Sequence, residues 1–293
     1  MFKNYPLLRL APLVFVLTGC YVHQAFYVSP FNGNSPGYAS IPLKADSLRS
    51  ATYMNAAYFL GAANDEGRDG VEAFHLEISR AHNLGFLQAW YGASLSLGGY
   101  RVGRWDSSYY NYPAPNNPAL PPNGQNSYTG FHNPFDARTI NQYAGNHFFG
   151  GTGMRGGING VVTAGDREWR VLGVETSLER EFGDYLAFRK QLPDSAASFL
   201  VKSNFFGTVG LYTEWLGKTP HGDFGFRLAT GWLLGSSYNH LNIYNNSSDT
   251  YLRYRYFNFT FHYTWTNYTA YLQTDAATKA NGIHLGFNYR IGR

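Results

Sequence analysis

The sequence has little charge, a single cysteine and no long apolar run. Only 14% of its 293 residues are charged, against about 25% in an ordinary soluble domain. A helical membrane protein is excluded, because beyond the N-terminus no stretch approaches the roughly 20 uninterrupted apolar residues that a spanning helix needs. One cysteine cannot form a disulfide within the chain. The net charge of +4 is scattered, so it gives no indication of nucleic-acid binding.

The N-terminus carries an export signal. Lys3 and Arg9 surround the start of a short apolar segment, and Leu17-Thr18-Gly19-Cys20 follows. These four residues resemble the lipobox of bacterial lipoproteins, in which the peptide is cut before the cysteine and the cysteine is acylated. The resemblance implies a signal peptide over residues 1–19, lipid attachment at Cys20 and membrane lipid as a partner. The alternative is an ordinary secretory signal.

Apolar and polar residues alternate through most of the chain after residue 50. Ten segments show this period of two, which is typical of half-buried strands: 53–61, 71–80, 86–98, 148–163, 167–182, 205–216, 224–238, 251–264, 268–274 and 282–291. Most have the length that a tilted strand needs to cross a bilayer. The pattern therefore predicts an all-β protein, an up-and-down antiparallel transmembrane β-barrel of about ten strands (eight to twelve), over residues 51–293.

Short and long connections alternate between these segments. The short ones are 82–85, 164–166, 217–223 and 265–267, and the long ones are 65–70, 100–147, 183–204, 239–250 and 275–281. Outer-membrane barrels have short periplasmic turns and longer external loops. We therefore expect both barrel termini, and a lipid anchor at Cys20, on the periplasmic side. Residues 20–50, rich in Pro, Gly, Asn and Ser, are predicted to form a tether or a periplasmic cap.

The last predicted strand adds a second resemblance. The segment His284-Leu285-Gly286-Phe287-Asn288-Tyr289-Arg290-Ile291 resembles the C-terminal signal that the barrel-assembly machinery reads, although Gly292 and Arg293 follow it. With the lipobox, it makes the sequence similar to the lipid-modified outer-membrane β-barrel proteins common in Bacteroidota. This implies residence in a Gram-negative outer membrane and contact with the assembly machinery during biogenesis. It implies no particular activity.

Ionisable residues of both signs fall on the inward face of the predicted strands. They are His75, Glu77, Arg155, Glu175, Glu179, Glu214, Arg227, His262, His284 and Arg290. An unpaired charge in a narrow lumen is costly, so the pattern favours mutual pairing into a structural network. A selective pore or a proton-linked site is the alternative.

The long connection at 100–147 is the candidate ligand surface. Loops of this length are usually functional or disordered. Aromatic rings beside asparagine and proline suit contacts with a glycan or a protein; the candidate contact residues are Tyr109, Tyr110, Tyr112, Tyr128 and Phe131. The alternative is a lid that seals the barrel mouth.

Enzyme motifs are missing from the sequence. It contains no Gly-x-Ser-x-Gly, P-loop, Cys-x-x-Cys or His-Glu-x-x-His, and His132, Asp136 and His147 match no established metal-ligand spacing. We predict no enzyme activity, no metal and no cofactor, with an enzyme at the barrel rim left open. The leading hypothesis is a binding or structural outer-membrane lipoprotein. The alternatives are a small gated channel and a lipid-tethered soluble β-sandwich that binds carbohydrate.

Overall fold

The computed structural model describes residues 25–32, 37–41, 48–64, 69–107, 135–197, 199–234, 255–277 and 280–291. These residues form twelve strands, two α-helices and two short 3-10 helices. The strands are β1 (Phe26–Tyr27), β2 (Ser50–Ala63), β3 (Asp69–Leu84), β4 (Leu87–Val102), β5 (Gly145–Ala164), β6 (Arg167–Phe182), β7 (Phe199–Leu200), β8 (Phe205–Thr219), β9 (Gly222–Leu234), β10 (Arg255–Trp265), β11 (Tyr268–Ala277) and β12 (Ala280–Ile291). The helices are α1 (Ala137–Asn141), α2 (Asp184–Gln191) and the 3-10 helices Pro30–Asn32 and Asp194–Ala196.

Ten strands close into one antiparallel barrel, in the order β10-β11-β12-β2-β3-β4-β5-β6-β8-β9. Each barrel strand pairs with the barrel strands that come before and after it in the chain. β12 closes the sheet on β2, from Ile291 opposite Thr52 to Ala280 opposite Ala63. Closure leaves no edge strand with unpaired backbone groups. The predicted up-and-down barrel is confirmed, and each predicted segment overlaps one barrel strand. The alternative of a soluble sandwich is wrong, because the strands form a single closed sheet.

The outside of the barrel is apolar on all ten strands. Met154, Leu172 and Leu285 are 65%, 59% and 58% exposed, values that are unusual for large apolar side chains unless something other than water covers them. The predicted alternation thus has its apolar face outward. This is the exterior of a barrel that sits in a bilayer.

The two ends of the barrel differ. Four two-residue turns, at 85–86, 165–166, 220–221 and 266–267, lie at one end, which we call the turn end. Longer connections between β2 and β3, β4 and β5, β6 and β8, and β9 and β10 lie at the other, which we call the loop end. The prediction of a long connection at 275–281 is wrong. Pairing continues to Ala277 opposite Ala280, so only residues 278–279 lie outside the strands.

The described residues 25–32 and 37–41, which we call the lumen segment, lie inside the barrel. The segment begins at the loop end, where Phe26 lies in β1 and β1 pairs in parallel with β7. Further along, the Tyr38 hydroxyl reaches Glu214 of β8. The carbonyl of Leu48 then accepts a hydrogen bond from Asn83 beside the β3–β4 turn. The segment differs from the tether or cap expected for residues 20–50, because its Tyr, Ile and Ala side chains are buried against the barrel wall.

The loop end carries a packed apolar core. Tyr27 of β1, Trp105, Ile140 of α1, and Tyr185 and Phe188 of α2 are buried in one cluster. The rings of Tyr27 and Phe188 meet edge to face at 5.2 Å. This cluster, together with α1, α2 and the β1–β7 pair, is called the loop-end platform below. No described helix is long and apolar enough to cross a membrane.

Candidate functional site

The middle of the lumen is organised around Arg155 of β5. Its guanidinium donates hydrogen bonds to the Glu77 carboxylate of β3 and to the backbone carbonyl of Gly37 in the lumen segment. His75 lies beside this pair, with its Nε2 3.5 Å from Glu77 Oε2 and its Nδ1 2.7 Å from Ser96 Oγ. Arg155 and Glu77 are both buried. One guanidinium therefore ties the barrel wall to the chain inside it.

A second cluster, nearer the turn end, surrounds the Glu214 carboxylate of β8. Arg170 Nη1 lies 2.6 Å from Glu214 Oε2, and the Tyr38 hydroxyl donates to Oε1 at 2.8 Å. His262 Nε2 is also 2.8 Å from Oε1, and its ring stacks on Tyr38 with centroids 4.5 Å apart. Arg170 Nη2 donates to the carbonyl of Ile41 at 2.9 Å. Here too a buried arginine holds the lumen segment.

A third ion pair joins β9 and β6. Arg227 Nη2 lies 2.5 Å from Glu175 Oε2, and the guanidinium carbon sits 3.9 Å from the centre of the Tyr212 ring. The Tyr212 hydroxyl donates to Asn159 at 3.0 Å. Stacking on an aromatic face is a favourable setting for a desolvated guanidinium. The pair is thus almost completely buried.

A small cavity remains on the loop-end side of Arg155. It has a volume of about 50 Å³, which is room for a few water molecules. Polar and ionisable side chains of the wall, among them His75, Glu179 and His284, meet Phe31 of the lumen segment there. His284 Nε2 lies 2.6 Å from Asp275 Oδ2. Phe31 and Gly37 of the lumen segment form part of the cavity wall.

The structure locates every ionisable residue that the sequence placed in the lumen. Arg155 is paired with Glu77, Arg227 with Glu175, and His262 with Glu214. Glu179 lines the cavity. Arg290 lies at the turn end instead, where its Nη2 donates to Asn267 Oδ1 at 2.7 Å.

Arg170, which is central to the second cluster, is not among the inward-facing residues predicted from the sequence. Strands β6 and β8 shift register between Arg170 and Gly173, and Val171 and Leu172 are both exposed. Such a β-bulge reverses the inward and outward faces along a strand. If β6 alternated regularly, Arg170 would lie on the same face as Leu172, two residues later, and would point to the lipid. Two neighbouring apolar residues in β6 are the one sequence signal of the bulge.

Of the other residues singled out in the sequence, the structure describes Asp136 and His147, and their bonds lie outside the lumen clusters. Tyr109, Tyr110, Tyr112, Tyr128, Phe131, His132 and Cys20 lie outside the described residues. Asp136 caps α1 by accepting from Arg138 N and Thr139 N, and His147 Nε2 is 2.8 Å from the carbonyl of Tyr143. Within the described part of the chain, no group of three or more metal-ligating side chains is assembled.

Comparisons with known proteins give structural likeness only. No protein-family model matches the chain, and no curated protein matches it. Solved structures that resemble it include the β-domain of the Bordetella autotransporter BrkA (10% identity, 83% of this chain and 99% of that chain, TM-score 0.43). A second is an outer-membrane channel from Pseudomonas putida F1 (12% identity, 88% of this chain and 99% of that chain, TM-score 0.37). A third is Neisserial surface protein A (10% identity, 83% of this chain and 97% of that chain, TM-score 0.30). These values are too low to transfer a function, and the fold rests on the strand pairing itself.

Proposed function

We propose that the protein is a lipid-anchored outer-membrane β-barrel, closed at rest by its own N-terminal segment, whose loop end has a binding or structural role. The observation that carries the proposal is the hydrogen bonding of the lumen segment. Backbone carbonyls of Gly37, Tyr38 and Ile41 accept from buried Arg155, Asn55 and Arg170 of the wall. A segment bonded in this way is part of the folded barrel and blocks free passage through it.

The outer-membrane location is supported by the barrel exterior. Apolar side chains cover all ten strands, and the strands are 10 to 20 residues long. A closed barrel with an apolar outer face is one of the two structures that can span a bilayer with every backbone group paired. The lipobox at residues 17–20 and the last strand agree with export to this membrane.

The binding role is supported by how the loop end is built. The loop-end platform has a buried aromatic core that includes Tyr27, Trp105 and Tyr185. Trp105 and Phe135 of this core lie in the chain just before and just after residues 108–134, which carry Tyr109, Tyr110, Tyr112, Tyr128 and Phe131. Rings of this kind combine a flat apolar face with a hydroxyl that can bond to a sugar or a peptide. A glycan or a protein at the cell surface is the proposed partner.

Binding and closure are tested together. Cells displaying the full-length protein are incubated with a printed oligosaccharide array, beside cells whose residues 108–134 are replaced by a glycine-serine linker of equal length. We expect retention of the first and loss of retention in the second. The purified full-length protein should be silent in planar bilayers. Steady conductance by the unmodified protein would contradict a closed barrel, and equal retention of both cell types would contradict binding by this loop.

A gated channel is the second candidate, and the polarity of the lumen wall favours it. Glu77, Arg155, Glu175, Glu214 and Arg227 would line an aqueous path if the lumen segment were displaced. The test replaces residues 26–41 with a glycine-serine linker. A gated channel predicts steady conductance in this variant and brief openings in the unmodified protein. Silence of the variant, while it still migrates as a folded barrel in unheated gels, would exclude the channel.

A further inference from the structure

The direction of the lumen segment is fixed at several levels. Its Phe31 ring lies 5.3 Å from Phe149, close to the loop end of β5. Its Gly37 carbonyl is held by Arg155 at mid-height, and its Ile41 carbonyl by Arg170 near the turn end. The chain therefore descends from the loop end to the turn end before β2 begins. What precedes residue 25 starts from the loop end.

The upper end of the segment is clamped by Asn64, directly after β2. Asn64 Nδ2 donates to the Phe26 carbonyl at 2.6 Å, and Phe26 N donates back to Asn64 Oδ1 at 2.8 Å. The amides of Phe199 and Val201 donate to the carbonyls of Ala25 and Tyr27, both at 3.0 Å. Asn64 is buried and adopts a left-handed φ of 48°, which asparagine tolerates better than most residues. Ala25, Phe26 and Tyr27 are thus held at the loop end by backbone and side-chain bonds.

The reach of the preceding chain is short. Cys20 is five positions before Ala25, so an extended chain carries Cys20 at most about 18 Å away. The apolar band of an outer-membrane barrel is about 25 Å tall. A lipid on Cys20 therefore cannot reach the leaflet at the turn end. This conclusion does not depend on the conformation of the residues in between.

We infer that the mature N-terminus emerges at the loop end, and that its acyl chains lie in the outer leaflet of the outer membrane. The inference rests on the proposed lipidation of Cys20 and on short turns facing the periplasm. It replaces the periplasmic placement expected from the first barrel strand alone. The protein is then anchored at the cell surface by a chain that has passed through its own barrel.

Threading also determines how the barrel can form and open. β2 and β12 are the first and last barrel strands and pair with each other, so a barrel that closes around the segment encloses it. Afterwards the segment is fixed by β2 at the turn end and by acyl chains at the loop end. Sliding out would draw two or more acyl chains through a lumen filled with ion pairs. The segment is a permanent filling under this inference, which argues against the gated channel.

The test uses epitope insertions in the full-length protein in a Gram-negative host. One tag follows Val22, a matched control tag sits between Pro220 and His221 at the turn end, and a third lies within residues 240–246. We expect antibody to label the Val22 tag on intact cells as strongly as the third tag. The turn-end tag should be labelled only after permeabilisation. The folded state of each variant is checked by its mobility in unheated gels.

Mass spectrometry of the mature N-terminal peptide separates the two proposals. Acylated Cys20 with a Val22 tag that is labelled only after permeabilisation would overturn the outer-leaflet inference and leave the lipid anchor standing. Unmodified Cys20 would overturn the anchor itself, and the leaflet assignment with it. If the Val22 tag prevents folding, a photoreactive amino acid at Phe31 serves instead. Crosslinks to peptides containing Phe149 or Phe206 support threading, and crosslinks outside the barrel overturn it.

Discussion

Arg170 and Glu214 form an ion pair inside the barrel in which both side chains are wholly buried and Nη1 lies 2.6 Å from Oε2. Each partner also has other bonds, Arg170 to Gln88 and the Ile41 carbonyl, and Glu214 to Tyr38. A buried pair contributes little over an apolar pair of the same shape, but losing one partner strands the other charge. The cluster is therefore most sensitive to single substitutions.

Replacing Arg170 with methionine should destabilise the protein by about 3–5 kcal/mol, because Glu214 would stay buried without the guanidinium that neutralises it. Urea unfolding in lipid vesicles, followed by tryptophan fluorescence, measures the free energy of unfolding. Arg180→Met is the matched control in the same strand, since the Arg180 side chain is exposed. The double variant Arg170→Met/Glu214→Leu should recover part of the loss. Equal effects of R170M and R180M would contradict this account of the pair.

The Glu214 cluster should also be sensitive to the space beside His262. A Cβ added at Gly225 would lie 2.2 Å from His262 Nε2, whereas one added at Gly160 would meet nothing within 4 Å. Gly225→Ala should therefore cost about 1–3 kcal/mol through overpacking, and Gly160→Ala should be nearly neutral. The two unfolding midpoints in urea test this directly. A Gly225→Ala midpoint no lower than that of Gly160→Ala would show that the His262 ring moves away without loss.

The clamp on Phe26 should be local. Asn64→Gly accommodates the left-handed φ and removes the side-chain bonds to Phe26, so the β1–β7 pair should open more often while the barrel stays intact. Amide hydrogen exchange at Phe199 and Val201, which donate to the segment, should speed up about tenfold, equivalent to about 1.4 kcal/mol of opening free energy. Exchange in β4 and β5 serves as the internal control. Faster exchange in those strands as well would mean that Asn64 supports the whole barrel.

The loop-end platform should loosen in base. Burial raises the pKa of Tyr185 in α2 well above the usual value of 10, so the folded platform disfavours the phenolate. A group whose pKa is higher in the folded than in the unfolded protein contributes stability that is fully present below its unfolded pKa. This stability is lost as the pH rises above the unfolded pKa. Above about pH 10, α2 should therefore become sensitive to protease, as measured by cleavage near Lys190. Tyr185→Phe should shift this transition to higher pH, and an unchanged transition would assign it to another tyrosine.

The period of two was enough to predict the ten strands and the side on which Glu77, Arg155, Glu175 and Arg227 lie. Neighbouring residues of a strand point to opposite faces, so this information is local. Arg170 was not predicted to face the lumen, because the bulge before Gly173 exchanges the inward and outward positions of the strand. A bulge depends on pairing with β8. Tyr38 was not predicted to lie in the lumen, because its segment shows no periodic pattern of apolar and polar residues. The segment is ordered by contacts with strands that follow much later in the chain.

By itself the sequence determined a closed barrel with an apolar exterior and a charged interior, because strand length, alternation and turn position are local properties of the chain. Only the tertiary structure decided what fills that interior. Tyr38 of the lumen segment is bonded to residues as distant in sequence as Glu214 and His262, and a contact of that separation leaves no periodic pattern in the sequence. Long-range contacts with β7 also place Ala25 at the loop end, and the proposal that a lipid on Cys20 lies in the outer leaflet rests on that position.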